Sequence, residues 1–587
     1  MKYTFTFFQY TTLLILLLLT SCTTTTNSEK KDIDFTTTFE KSKGTETPTY
    51  QEVISYYKKL ADAYPQIHLQ EIGMTDSGFP LHVISLHDSN ETRFDQLRKT
   101  KRILLINNGI HPGESDGIDA TILLYRDIVQ GKIPFPKHTA LVTIPIYNIG
   151  GSLNRNSTSR TNQNGPKSYG FRGNARNFDL NRDFIKNDTK NSQAFSEVFH
   201  LVQPDVFIDN HVSNGADYQY TLTHLFTQHN KLGGPLGTYL HQEIQPTLTS
   251  LLEEKKWDIT PYVNVWGQTP DKGFTQFMDH PRYSTGYTTL WNTLGMMIET
   301  HMLKPYKQRV EGTYELMKSM IDIIENDPKK IKQLREQAFS YFDKQTTYPI
   351  QWKIDTTRHS TFLFKGYEGK RIPSTLTQGT RLKYYREQPY QKEITYRDYF
   401  IPSKQVTIPA FYVIPQGWWR ITDALKRNQV AYQRLSKDTT ITVETYKIQS
   451  YKTRNSPYEG HYLHYDTQVS KKENTMTFRK GDYLIPTAQK AIRYIIEVLE
   501  PEAPDSFFNW NYLDTILQQK EGFSPYVWED KAIELLEKHP ELKARFIEKQ
   551  KDTSFRKNSY RQLDWLHKQS SNYEKAHMKY PIYRILR

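Results

Sequence analysis

Tyr50, Val53, Ile54, Tyr57, Leu60 and Tyr64 recur at helical spacing behind a Thr49–Glu52 capping pair, and Pro65 marks where that helix must stop. Two short strand-like pieces follow, around His68–Ile72 and Pro80–Leu86, with a turn at Ser77-Gly78 between them. The pattern then alternates. Ile103–Ile106, Leu141–Ile146, Val206–Ile208 and Leu294–Ile298 are unbroken apolar runs of strand length, whereas Ile118–Val129 and Ser192–Val202 carry an apolar face at helical spacing. Apolar strands separated by helices predict an α/β domain over residues 48–328, a mostly parallel mixed sheet flanked by helices. In such sheets the chemistry collects just beyond the carboxyl ends of the strands.

Past Pro328 the pattern changes. Lys329–Phe342 is a charged helix, and Arg358–Phe478 is rich in Thr, Tyr and β-branched residues with frequent turns. Ile441–Ile448 alternates in part, as a half-buried strand does, and one helix near Trp418–Arg427 interrupts the region. Residues 329–480 are therefore expected to form a β-rich accessory region, read as a sandwich. Residues 481–587 are mixed and end in charged helices such as Glu529–Lys538.

The amino end is of another kind. Lys2 precedes the apolar run Leu13–Leu19, which is too short to span a membrane stably and reads as a signal peptide over residues 1–22. Its end, Leu19-Thr20-Ser21-Cys22, resembles the lipobox of bacterial lipoproteins, which implies that Cys22 is lipidated and becomes the mature N-terminus. Residues 23–47 are Thr-rich and linker-like, a tether of about 25 residues. Diacylation with N-acylation meets the requirement of more than one chain for stable anchoring. With no Asp after Cys22, the expected location is the outer membrane of a Gram-negative cell, the body facing periplasm or surface.

Composition narrows the classes further. Cys22 is the sole cysteine, so an internal disulfide and every Cys-rich metal site are excluded. A mean hydropathy of −0.70 excludes a polytopic membrane protein. The net charge of +13 is spread along the chain; with export, no nucleic-acid partner is expected. Nothing here sets an oligomeric state.

The residues able to do chemistry sit at the predicted strand ends. Ile103–Ile106 runs into Asn107-Asn108-Gly109-Ile110-His111-Pro112-Gly113-Glu114, where a His and a carboxylate three apart can face one ion. Zinc takes imidazole nitrogen and carboxylate oxygen, and catalytic sites keep three protein ligands and a water. His211, at the end of Val206–Ile208, is placed to be the third. Glu299 ends the apolar strand Leu294–Ile298, where desolvation raises a carboxyl toward the range useful for proton transfer. Between them, Arg172, Arg176 and Arg182 make a loop able to bind an anion, since a guanidinium clamps a carboxylate in two-pronged fashion.

His111-Pro112-Gly113-Glu114, Asp179-Leu180-Asn181-Arg182, His211 and Glu299 occur in this order over about residues 48–310, and together they resemble the zinc metallocarboxypeptidases of the carboxypeptidase A type. The resemblance implies one zinc ion held by His111, Glu114 and His211, with Asp179 accepting a hydrogen bond from an imidazole ligand, His111 by preference. It implies that Asn181 and Arg182 hold the substrate's terminal carboxylate, that Arg172 polarises the scissile carbonyl, and that Glu299 is the general base toward a water activated by zinc. Two departures stand out. The animal members carry an Arg where this chain has Gly113, and the substrate-capping Tyr is not uniquely placed, with Tyr283 first and Tyr287 next. The expected activity is removal of C-terminal residues from peptides. Cleavage of muropeptides by a murein endopeptidase, an acyl-amino-acid amidase, and a non-catalytic peptide- or glycan-binding lipoprotein stay open as alternatives. His461 and His464 read as surface histidines rather than a second metal site.

Overall fold

The computed structural model describes residues 33–89 and 91–587. The signal peptide, Cys22 and the first part of the linker lie outside the described residues. An eight-stranded sheet organises the first half: β1 (Ile67–Met74), β2 (Pro80–Leu86), β3 (Arg102–Asn107), β4 (Thr139–Ile144), β5 (Val206–Ser213), β6 (Leu222–Phe226), β7 (Ile259–Pro261) and β9 (Leu294–His301), in the order β1-β2-β4-β3-β5-β9-β6-β7. β4, β3, β5 and β9 run parallel, and antiparallel pairings flank them at β2 and β6. Every residue of β3, β4 and β5 is buried because helices cover both faces, which is why these strands read as continuous apolar runs. Period two still sorts them. Leu104, Ile106, Val206, Ile208, Met296 and Ile298 pack against helices Asp116–Val129 and Tyr306–Asn326, while Ile103, Leu105, Val142 and Phe207 face helix Lys190–Val202.

Several predicted boundaries move. The linker ends before residue 47, because Phe35 and Phe39 are buried with Tyr50, Tyr57 and Tyr306 in the first of these cores. Thr37 and Glu40 close a capping box on the short helix Thr38–Lys41, as Thr49 and Glu52 do on Tyr50–Ala63. At the other end, helix Pro328–Tyr341 belongs to the α/β part: Ile331 is in its core, and the Arg335 guanidinium meets Asp205 at 2.7 Å.

The rest is β-rich, as expected, but it is not a sandwich and does not divide at residue 480. β10 (Thr347–Ile354) pairs with β13 (Phe400–Thr407). β11 (Ser360–Pro373) and β12 (Thr380–Arg397) form a long ribbon that picks up β8 (Phe274–Thr275) from the α/β part. β14 (Phe411–Ile414), β15 (Gln433–Arg434), β16 (Thr439–Thr453), β17 (His464–Phe478), β18 (Tyr483–Pro486) and β19 (Tyr583–Ile585) make a six-stranded sheet in the order β15-β18-β14-β19-β16-β17. Pairing of strands more than a hundred residues apart joins the two predicted regions. Helices Trp419–Arg427 and Ile492–Leu499 cover one face of this sheet. Tyr412, Ile414, Tyr446 and Ile448 share a single core with Tyr494, Val498, Phe195 and Phe199, so the C-terminal region is packed onto the α/β part. Helices Pro525–Lys538 and Ser559–His567 form a small core of their own around Trp528 and Leu563. Among the described residues no helix is long and apolar enough to cross a membrane.

Candidate active site

Register places the chemistry. Asn107, Asp209 and Met297 are neighbours across β3, β5 and β9, and one step further His211 is paired with Glu299. His111 and Glu114 lie on the loop between β3 and helix Asp116–Val129, beside that same strand end. Ligand atoms of His111, Glu114 and His211 lie within 4.8 Å of one another, the one group of this kind among the described residues.

The two imidazoles are oriented alike. His111 Nε2 is 3.0 Å from Asp179 Oδ1 and His211 Nε2 is 2.9 Å from Asp209 Oδ2, so the outer nitrogens are tied to carboxylates. A carboxylate on Nε2 keeps the proton there and leaves the Nδ1 lone pair facing inward. His211 Nδ1 is 3.2 Å from Glu114 Oε2. His111 Nδ1 stands 3.3 Å from Glu114 Oε1 without hydrogen-bond geometry and has no other partner, although it is buried. Two inward nitrogens, one orphaned, and one carboxylate are a donor set that fits a zinc ion.

Arg172, Asp179, Asn181 and Arg182 sit on the irregular segment that leads into helix Lys190–Val202. Asp179 is its hub: while Oδ1 holds His111, Oδ2 accepts from Arg172 Nε and Nη2 at 3.0 and 2.8 Å. Arg172 Nη1 is left 3.6 Å from Glu114 Oε1. Asn181 Oδ1 accepts the Ser284 N–H at 3.1 Å, which leaves its Nδ2 to the cleft. The Arg182 guanidinium lies 4.6 Å over the ring of Tyr283. His111, Glu114, His211, Arg172, Asn181, Arg182, Tyr283 and Glu299 thus line one cleft of about 300 Å³, with Asp179 directly behind it. Tyr287 is elsewhere. It is fully buried, and its hydroxyl donates to Asn428 at 2.6 Å, because on helix Ser284–Thr289 it points away from the cleft. His461 and His464 are not surface residues either: each is largely buried and paired, with Asp188 and Asp514.

Burial pushes the Glu299 carboxyl up to about 7, Glu114 adding to the rise and His211 opposing it. Glu114 is equally buried, yet Arg160 and His111 overcome the desolvation and hold it well below the usual carboxylate range.

Sequence reasoning missed several residues. Arg160 Nη1 donates to Glu114 Oε1 at 2.7 Å. Its side chain lies against Gly113, where an added Cβ would come within 3.0 Å of Arg160 Cδ, so an arginine from a distant loop stands beside the position that lacks one. No local signal announces it. Asp209 was legible, since residues two apart on a strand share a face and His211 was already singled out. The outer wall of the cleft is Tyr262, Asn264 and Trp266, and Trp266 is 57% exposed at the mouth. The β11–β12 ribbon backs this wall, with Arg371 donating to Gly267 O and Tyr384 to Gln268 O, both at 2.9 Å.

Residues 53–206 match a family model described as zinc carboxypeptidase. Similar solved structures include a metallo-carboxypeptidase from Burkholderia cenocepacia, at 15% identity over 48% of this chain and 70% of that one, with a TM-score of 0.37. Another is the carboxypeptidase A of Helicoverpa armigera, at 14% identity over 54% of this chain and 81% of that one, with a TM-score of 0.38. No curated protein sequence matches the chain.

Proposed function

We propose that the α/β part, whose residues 53–206 match the zinc carboxypeptidase model, is a zinc metallocarboxypeptidase domain, and that it removes single residues from the C-termini of peptides, with Glu299 as general base. The observation that carries this is the cleft itself, where an inward-facing His–Glu–His set, a buried carboxyl and the Arg182 guanidinium over a tyrosine ring meet. A zinc ion on His111, Glu114 and His211 would supply Lewis acidity toward a carbonyl and toward water at neutral pH.

The chain's own groups do the rest. Arg182 and the Asn181 amide bind the terminal carboxylate, which fixes the register of the peptide so that the last amide bond lies beside Glu299 and Arg172. Arg172, held by Asp179, faces the charge that develops on the carbonyl oxygen, where a preorganised donor counts most. Glu299 takes a proton from the attacking water and returns it to the departing amine, as a carboxyl raised toward neutrality can do in both directions. Tyr283 closes over the terminal residue. The Tyr262–Trp266 wall takes the residues upstream of it.

We assign the substrate's C-terminal side chain to the apolar part of the cleft lining. Leu225 and Met297 are partners across β6 and β9, on the face that also carries Glu299, and with Phe277 they form the floor of the cleft. Apolar C-terminal residues are therefore the preferred substrates. Met297→Glu is expected to lower kcat/KM for C-terminal Leu or Phe by roughly 10–200-fold, the range one pocket contact commands, and to favour Lys or Arg instead. Competition between two peptides differing only in the last residue measures it.

The test of the activity is a library of linear peptides, free or amidated at the C-terminus, incubated with the mature protein and read by mass spectrometry. Stepwise loss of single C-terminal residues from the free peptides alone is the expected result. Cleavage confined to internal or cross-link amides would replace it with an endopeptidase or amidase, and no cleavage by the zinc-loaded protein would leave a binding role. We further propose that Cys22 carries a lipid that tethers the domain to the cell envelope. Release of a Cys22→Ser protein from the membrane fraction is the expected outcome, and its retention there would overturn the assignment.

A further inference from the structure

The segment from Tyr169 to Thr189 carries three of the cleft's residues and Asp179 behind them, yet its sole helical element is the single turn Leu180–Arg182. Irregular backbone of that length does not hold side chains to catalytic precision unaided. Its support comes from the C-terminal region. Tyr458 and His461 close a turn through reciprocal backbone bonds of 2.7 and 3.1 Å, and this turn is seated on the segment. Glu459 Oε2 accepts the backbone N–H of Asp179 at 2.8 Å. Gly460, at φ +77°, lies on the Phe178 ring so closely that an added Cβ would stand 3.1 Å from it. His461 Nε2 meets Asp188 Oδ2 at 2.5 Å, and the fully buried Lys186 ammonium ties Asp188 to Asp183 at 2.9 and 2.6 Å. The neighbouring wall is gripped in the same way: Asp505 takes the Arg282 N–H at 2.8 Å and its guanidinium at 2.7 Å, immediately before Tyr283.

We propose that the C-terminal region is the brace of the active-site loop, and that Glu459 is a positioning residue acting through Asp179. Asp179 sends one oxygen to His111 and the other to Arg172. The direction of both contacts depends on how its backbone is held, and Glu459 holds the N–H of that same residue. A metal ligand and the arginine beside the scissile bond are thus set together by a side chain some 280 residues away in sequence.

The kinetic part of this proposal rests on the peptidase activity; the metal-binding part does not. The test uses the full mature chain with Glu459→Ala, Glu459→Gln and, as a control, Asp438→Ala, whose carboxylate meets only the exposed Arg479 and Lys480. Three quantities are read: kcat and KM at saturating zinc, Co²⁺ affinity by competition with a chromophoric chelator, and the visible spectrum of the Co²⁺ form. Groups that orient a metal ligand from outside are worth 10–100-fold, so one step further out Glu459→Ala should lower kcat about 10-fold, with a smaller change in KM, and weaken Co²⁺ binding about as much. Glu459→Gln keeps an acceptor oxygen and should recover both to within about threefold. Should Glu459→Ala fail to fold, Glu459→Asp, one methylene too short to reach, takes its place.

The proposal is overturned if Glu459→Ala lowers the melting temperature but leaves kcat, affinity and spectrum within about twofold. It is equally overturned if the Gln variant falls as far as Ala, or if Asp438→Ala shows the same loss. Wild-type protein that binds Co²⁺ and cleaves no peptide would remove the peptidase activity and leave the metal arm to decide the brace.

Discussion

Glu299→Gln is expected to lower kcat by about 10²–10⁴-fold, the contribution typical of a positioned general base, while KM changes little. Gln fills the same space on β9 and keeps the pairing with His211, so the fold and the ligand set are left as they were. What is lost is the ability to take and return a proton. The pH profile gives a second check. Burial, with its charged neighbours, puts the Glu299 carboxyl at about 7, and a dication held beside it favours the ionised form, so it titrates lower when the metal is bound. Activity should rise with pH through an acid limb below neutrality as the base is deprotonated. That limb should be absent from whatever rate the Gln variant retains. A variant with wild-type kcat, or one that keeps the limb, would remove Glu299 from the proton transfer.

The second large effect belongs to Arg172. Arg172→Ala is expected to cost about 10²–10³ in kcat, as loss of one oxyanion donor does. The geometry explains why lysine should not rescue it. Two of the guanidinium's nitrogens are spent on Asp179 and the third, Nη1, remains toward Glu114 and the cleft. A single ammonium cannot be held and still present a second donor in a fixed direction. Arg182 supplies the contrast, because in the proposed binding mode it holds the terminal carboxylate in ground state and transition state alike; its loss should appear mainly in KM. Steady-state kinetics on one peptide with the two variants side by side separates them. A pure KM effect at Arg172 would place it in binding and not in the chemistry.

Much of this was legible in the sequence, for reasons that particular residues show. The runs Ile103–Ile106 and Val206–Ile208 are apolar throughout because those strands are covered on both faces, and His111 and His211 follow directly from where such strands end. Glu299 stood out as the one charge on an apolar strand. Arg160 and Glu459 could not be found that way, since each reaches the site from a loop with no periodicity, across a separation that only the folded chain closes. Phe35 and Phe39 were hidden differently: a threonine-rich composition suggested a tether, while a capping box and two aromatics were enough to dock it. The C-terminal half misled most, because β-strand content is a local property and sheet partnership is not. Tyr412 pairs with Arg584, and nothing in either segment names the other.

That last pairing constrains the order in which the molecule can be built. β19 does not lie at an edge; it is inserted between β14 and β16, so the six-stranded sheet has a gap at its middle until Tyr583–Ile585 arrives. Contacts spanning so much chain form late and slowly. The turn Tyr458–His461 lies between β16 and β17, on the side of that gap away from β14. A growing chain can therefore complete its eight-stranded sheet, and with it the His–Glu–His cluster, well before the sheet bearing Glu459 is whole. Under the proposed function, cleavage competence becomes a property of the finished polypeptide, and a half-built chain is a poor protease toward its neighbours.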